Sequence, residues 1–307
     1  MNRFIAVLIV FLALISSAFA FDLEKEMFLS QHVLSYTTSY DISSQDKRLG
    51  TIYRRVLSLT TKYDFYDTQK KLISSAEAHF FSFGAHFDIY DDTEKNILGT
   101  VEEKVIAFFP TFDLYATDGT HLGQAKQNFW GTTFTLYSDK NHTHVLAVMS
   151  RKWYAWKNDW AITITDMERV KAKHIDPRFL MTVLAIEGDL EDIVILSSNL
   201  SQSIHTPPLV QSMQTKLNHF IQQEEPLSTT APMTQESLDA LANHLDESYQ
   251  KLYANTALSA AAEAEQFVDY CLNEARAPGT TLTTKKAIVN LLQKRIKTLV
   301  HHKKPLT

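Results

Sequence analysis

One motif returns along the first half of the chain and limits it to few folds. Tyr40-Asp41-Ile42 leads to Leu49-Gly50-Thr51, and Tyr63-Asp64-Phe65-Tyr66-Asp67 leads to Leu72-Ile73. Phe87-Asp88-Ile89-Tyr90-Asp91 leads to Leu98-Gly99-Thr100, and Phe112-Asp113-Leu114-Tyr115 leads through Asp118-Gly119 to Leu122-Gly123. A degenerate fifth copy, Phe134-Thr135-Leu136-Tyr137, is followed by a polar tip and Val145-Leu146-Ala147. The copies stand 22 to 25 residues apart, too far for one strand and right for a two-stranded hairpin with its connection. In each copy an aromatic and a second apolar residue two apart, aliphatic in all but one, share one face of an extended strand, and the polar residue between them, Asp in four copies, takes the other. Polar residues then reverse the chain, most plainly at Asp118-Gly119. Six of the eight glycines fall between Gly50 and Gly131, as strands that coil or let backbones pass closely require.

Successive hairpins from residue 30 to 170 amount to a meander of about ten to twelve strands, and open sheets that long curl and close. A barrel of this size has an interior to fill. The segment "HIDPRFLMTVLAIEGDLED" supplies the filling: Asp176 caps, Pro177 opens the helix, and Phe179 to Ile186 is apolar nearly all round. A helix greasy on every side is buried rather than laid on a surface. The fold class expected is α+β, an approximately 12-stranded antiparallel barrel of hairpins around a hydrophobic helix.

The repeated hairpins, "VMSRKWYAWKNDWAITIT" (Val148 to Thr165) and the Ile-Asp-Pro-x-Phe-Leu-Met helix together resemble the tubby C-terminal-like fold, in its LURP-one-related and phospholipid-scramblase branch. The resemblance covers residues 30 to 190. It implies a 12-stranded barrel around a central hydrophobic helix, and a lipid- or ligand-binding role. Arg151, Lys152 and Trp153, with Asp159 and Trp160, match that family's Arg-Lys-aromatic strand pair. No phosphoinositide-binding Lys/Arg set and no scramblase calcium loop can be placed on this chain. The secretory signal described below and the helical extension after residue 200 both depart from the family pattern.

Residues 196–208 read as a Ser/Thr/Asn/Pro-rich linker, and 209–307 as a helical extension. Its apolar spacing runs through Leu238, Leu241, Leu245, Tyr249 and Leu252, then Phe267, Val268, Cys271 and Leu272, then Ile288, Leu291, Leu292, Ile296 and Leu299. Thr234 and Thr283 are the expected caps, and Ala277-Pro278-Gly279 the stop of the third stretch. Between His219 and Glu274 ten carboxylates face Lys251 alone, whereas Lys285 to Lys304 holds seven Lys/Arg and no acid. The two runs either pair within the bundle or leave a basic strip for an anionic surface.

The first twenty residues carry Arg3, an apolar run from Phe4 to Ile15, and Ala18-Phe19-Ala20. This is the pattern of a secretory signal cleaved near Ala20, with an uncleaved anchor as the alternative. The barrel is then residues 21–195 of an exported protein, periplasmic or secreted, with no transmembrane segment in the mature chain. Removing Arg3 takes the formal charge from −5 to −6, which gives nucleic acid no footing as a partner. The lone Cys271 permits no internal disulfide, and its Ala-rich helical setting suggests a buried thiol.

Chemistry is sparse. The acids of "FDIYDDTEKNILGTVEEK" lack the spacing of a calcium loop and read as a turn tip and outward faces. His142 with His144, and His301-His302, read as solvated surface. No nucleophile elbow, phosphate loop or dinucleotide fingerprint occurs. No catalytic residue, metal site or cofactor is assigned, which weighs against an enzyme. The expectation is a non-catalytic binding protein for a ligand or anionic lipid, through Arg151, Lys152, Trp156 and Lys157 beside the tryptophans and Lys294, Arg295 and Lys297 near the C-terminus. The alternative is a structural or protein-interaction module acting through the helical bundle.

Overall fold

A computed structural model describes residues 23–32, 37–45, 47–79, 84–104, 107–151, 159–197, 208–224, 233–253 and 258–301. The expected signal, residues 1–20, lies outside the described residues, as does most of the expected linker. Twelve strands alternate along the chain: β1 Glu26–Gln31, β2 Ser39–Ser44, β3 Lys47–Arg54, β4 Lys62–Asp67, β5 Leu72–Ala78 and β6 His86–Tyr90, then β7 Ile97–Glu103, β8 Thr111–Ala116, β9 His121–Gln127, β10 Thr133–Tyr137, β11 Val145–Arg151 and β12 Trp160–Ile164. Each pairs antiparallel with its sequence neighbours, and β1 closes on β12. The meander is therefore a closed barrel, as the hairpin repeat requires.

The register explains the repeat. In each of the five hairpins the pairing slips once, after the second apolar residue of the motif, aliphatic in four copies and Phe65 in the other: at Ile42/Ser43, Phe65/Tyr66, Ile89/Tyr90, Leu114/Tyr115 and Leu136/Tyr137. Such a bulge adds twist and coils the strand pair, which lets a long sheet close. Opposite that residue sits a small buried one: Gly50, Ser74, Gly99, Gly123 or Ala147. The Leu-Gly of the motif is thus a Leu/Ile-small pair, with serine in the second copy and alanine in the fifth. Beyond each bulge a polar turn carries one left-handed residue, Gln45, Lys70, Glu94, Gly119 or His142. Four of these turns are held by an Asp (67, 91, 118 or 139) accepting from the backbone N–H two residues on and, in three of them, also from the one four residues on.

Helices follow: α1 Met167–Ala172, α2 Pro177–Ser197, α3 Pro208–Gln223, α4 Gln235–Tyr253, α5 Ala260–Arg276 and α6 Leu282–His301. Asp176 accepts from Arg178 N at 2.9 Å at the start of α2, as expected of a cap. Phe179 to Ile186 then share one core with the inward residues of the barrel, among them Met27, Tyr40, Phe65, Phe87, Phe112, Phe134 and Trp160. Aromatics on the outgoing strands often face small residues on the return, as in Tyr63 with Ala76 and Phe112 with Ala125. That alternation leaves room for a helix in the lumen. Among the described residues no helix is long and apolar enough to cross a membrane.

A second core joins α3–α6 to the barrel. Phe109 and the β9–β10 turn residues Phe129 and Trp130 are buried among Leu217, Phe220, Tyr249, Phe267, Leu291 and Ile296. Thr234 caps α4, with Ser237 N 3.3 Å from its hydroxyl. At α6 the expected cap is corrected: Thr281, not Thr283, accepts from Thr284 N at 3.1 Å, because the helix already begins at Leu282. Cys271 is buried in this core, and burial holds its thiol well above the ordinary pKa.

Gly99 shows how tightly α2 fits. A Cβ there would stand 2.4 Å from Tyr115 O and 2.6 Å from the Phe179 ring, so helix and wall touch through the missing side chain. Gly119 has open space around it and differs only in its left-handed backbone. Gly99→Ala is therefore expected to cost about 3 kcal/mol of unfolding free energy and Gly119→Ala about 1 kcal/mol, as read from denaturant midpoints; equal losses would contradict the close contact.

Candidate functional site

The repeated Asp lies on the outer face in every copy that has one, and each meets a basic or imidazole partner. Arg48 donates to Asp41 at 2.6 Å and His32 lies 2.7 Å away. Arg55 grips Asp64 with two bonds, 2.9 and 2.8 Å. His79 is 2.6 Å from Asp88, and Asp113 has Gln124 at 2.6 Å and His121 at 3.2 Å. Asp91, by contrast, is the turn acid the sequence suggests: Thr93 and Asn96 side chains and nearby backbone N–H groups lower its pKa to about 2, the Thr93 hydroxyl contributing most. Glu94 leaves that turn to pair with Arg55 at 2.8 Å and Lys62 at 3.2 Å.

A cleft of about 630 Å³ opens between the outer wall at β1, β12, β11 and β10 and the facing side of α4. The wall is low there because small residues meet across the strands: Ala161 pairs with Ser150, and Ser150 with Thr133, while Phe28 flanks Ala161 on β1. Asp159, Asp239, Asp246 and Arg151 supply the charge. Arg151 donates to Gly131 O at 3.0 Å and lies 4.8 Å over the Trp160 ring, a stacked and partly desolvated cation. Asp159 accepts from Gln31 N at 3.0 Å, and Asn128 donates to Asp246 at 3.0 Å. Burial against the wall raises the Asp246 pKa to about 6, with the Asn128 bond opposing the rise. Trp160 Nε1 is buried without a hydrogen-bond partner among the described residues.

Of the expected binding residues that are described, Arg151 lines this cleft. Lys152, Trp156 and Lys157 lie outside the described residues. Lys294 and Lys297 are exposed on α6. Arg295 is 1 % exposed; it donates to Gln127 Oε1 at 3.2 Å and Asn128 O at 3.3 Å and stacks on Phe109. It is a strut between bundle and barrel, not part of an open basic strip. Lys285 pairs with Glu224 at 2.9 Å and Lys216 with Asp269 at 2.7 Å, so several cations of the bundle meet acids of neighbouring helices.

Of the histidines expected on solvated surface, His144 is exposed but His142 is half-buried. His142 bonds Gln124 at 2.8 Å and rests on Tyr137; the side chains of His301 and His302 lie outside the described residues. A trio the sequence reading passed over comes together instead: donor atoms of His79, His86 and Asp88 lie within 4.8 Å of one another. Burial first, then the neighbouring His79, lowers the His86 pKa, which favours the neutral imidazole. The signal was present in His86-x-Asp88, which strand alternation puts on one face; His79 joins only through the hairpin pairing.

Comparison with known proteins matches residues 25–186 to the family model described as LURP-one-related, just over half of the chain. A solved structure of an Arabidopsis thaliana protein aligns at 13 % identity over 54 % of this chain and 91 % of that one, with a TM-score of 0.39. No curated protein matches the sequence.

The raised Asp246 pKa has a pH signature. The folded state holds its proton up to about pH 6 while the unfolded chain releases it near 3.8, so folded protein binds more protons between those values and stability falls as pH rises through them. Asp246→Asn should flatten that part of a plot of denaturant midpoint against pH; an unchanged slope would place the carboxylate in free solvent.

Proposed function

The chain belongs to the LURP-one-related family, and on that premise we propose that it is a non-catalytic binding protein whose ligand occupies the cleft between the barrel wall and α4. The observation that carries this reading is the cleft itself, a concave space of ligand size at a junction of elements with a few converging polar groups. Its lining favours a small polar ligand that is neutral or cationic. Among the described lining residues Asp159, Asp239 and Asp246 outnumber Arg151, whose guanidinium is already directed to Gly131 O. Hydroxyls of Ser30, Thr132, Thr133 and Ser150 offer hydrogen bonds, while Phe28, Ala161 and Ala242 give an apolar floor. Export is part of the proposal: Arg3, the apolar run and Ala18-Phe19-Ala20 support cleavage near Ala20 and a periplasmic or extracellular place of work.

One observation favours a second reading, attachment to an anionic lipid surface. The β3–β4 connection holds Val56, Leu57 and Leu59 at 69, 93 and 95 % exposure, next to Arg54 and Arg55. Three apolar side chains at a hairpin tip can enter a bilayer interface, each adding about 1.5–3 kcal/mol when fully buried. The interaction-module alternative has less support, since the apolar faces of α3, α5 and α6 are spent on one another and on the barrel.

A thermal-shift screen of small polar molecules, amines included, tests the first reading. Binders should raise the Tm of the natural chain and lose that effect in Ala161→Trp, which fills the cleft; binders that stabilise both equally would overturn it. The lipid reading predicts co-sedimentation with phosphatidylglycerol vesicles that is lost in Leu57→Asp/Leu59→Asp and unchanged in Ala161→Trp.

A further inference from the structure

The hairpin of β5 and β6 closes on two histidines. His79 N donates to His86 O at 2.9 Å, so the two side chains leave neighbouring strands at one level. Their rings stack with centroids 3.8 Å apart and planes 29° from parallel. Asp88 follows His86 by two residues and therefore stands on the same outer face. His79 Nε2 is 2.6 Å from Asp88 Oδ2, and His86 Nε2 is 3.8 Å from Asp88 Oδ1. Three donor groups thus converge on one point, across two strands and without help from a long loop.

An ordinary hydrogen bond accounts for one histidine only. His32 beside Asp41 and His121 beside Asp113 repeat the His79–Asp88 contact elsewhere on the barrel. At Asp88 a second imidazole is present, beyond hydrogen-bond distance of the carboxylate, yet aimed at it. Its other nitrogen, Nδ1, lies 3.4 Å from Glu102 Oε1 on β7, and Glu102 is the cross-strand partner of His86. A proton held on Nδ1 by Glu102 leaves the Nε2 lone pair directed toward Asp88 and His79. This is the outer-shell arrangement by which carboxylates orient metal-binding histidines.

We propose that His79, His86 and Asp88 bind one divalent transition-metal cation of the zinc type, with Glu102 orienting His86. Metal–ligand bonds of about 2.0–2.2 Å in a tetrahedral site separate the donors by about 3.3–3.5 Å. The His79–Asp88 distance must open and the His86–Asp88 distance close by less than about 1 Å, and the two imidazole donors, within 4.8 Å of each other, must take the same spacing, changes that side-chain rotations supply. Two imidazoles and one carboxylate suit zinc, nickel, copper or iron better than magnesium or calcium. With three protein donors, the remaining position belongs to water or an exogenous ligand. The site lies on the β5–β6 face, and none of its residues lines the cleft beside α4, so either proposal stands without the other.

Cobalt(II) is the direct probe, because its visible absorption reports coordination number and ligand type. Titration of the full-length mature chain at neutral pH should develop the bands of four- or five-coordinate Co²⁺ with one equivalent, and Zn²⁺ should displace it. His79→Gln and His86→Gln should each weaken Co²⁺ binding at least tenfold, and Glu102→Gln about tenfold or more, while His32→Gln leaves it unchanged. Circular dichroism and Tm of each apo variant separate loss of the site from loss of the fold. The absence of these bands, or bands that persist at full strength in the folded His79→Gln/His86→Gln variant, overturns the proposal.

Discussion

A barrel of twelve strands has a lumen that its own side chains cannot close, and the burial of α2 is what makes this one a solid body. From Phe179 to Asp189 every residue of the helix is buried, and the apolar stretch to Ile186 lies in the same core as the inward face of the strands. Fully burying a side chain of this size contributes about 1.5–3 kcal/mol, so the helix supplies a large share of the driving force for closure. The wall is shaped to receive it. Bulges coil each hairpin, small residues sit opposite them, and Gly99 lets the Phe179 ring touch the strand. Polar side chains at both ends of this buried stretch meet partners: Arg178 bonds Asp176 and the Ile73 carbonyl at one end. At the other, Tyr63 donates to Asp189 at 2.6 Å and Arg54 stands 3.3 Å from it. Burial still raises the Asp189 pKa, with Arg54 opposing it.

The same helix ties the barrel to the bundle. Gln127 donates to the buried Glu187 at 2.5 Å and accepts from Arg295 of α6 at 3.2 Å. Beside this relay the β9–β10 turn inserts Phe129 and Trp130 between α4 and α5, with Phe129 4.9 Å from the Phe267 ring and 5.7 Å from Tyr249. The turn is fixed from below by Arg151 and from above by Arg295. The cleft exists because this plug sets the stand-off between α4 and the outer wall. Two arginines that composition alone would offer to an anionic partner are thus largely committed to the joint.

The hairpin motif, the meander and the greasy helix were legible because each rests on local periodicity and turn chemistry. Equivalence of Ser74 and Ala147 to the glycines was hidden, since only the register shows that all five oppose the apolar residue at the bulge. Arg295 looked like one of a basic run; helical spacing put it on a face, but the sequence could not say that this face meets Gln127 and Phe109. The acids of the Phe87–Lys104 stretch divide in a way no spacing rule predicts. Asp91 builds the turn, Glu94 crosses to Arg55 and Lys62, and Asp88 joins two histidines from the opposite end of its hairpin. Asp246 and Arg151 share a cleft across ninety-five residues of chain, a long-range contact outside the reach of any window.

Native-state hydrogen exchange measured across denaturant concentrations tests most directly whether the helix and the barrel form one cooperative unit. Amides of α2 between Met181 and Glu187 should exchange only through global unfolding, merging with those of β4, β6 and β8. Exchange of those helical amides at a markedly lower opening free energy, with the strands still protected, would contradict the account.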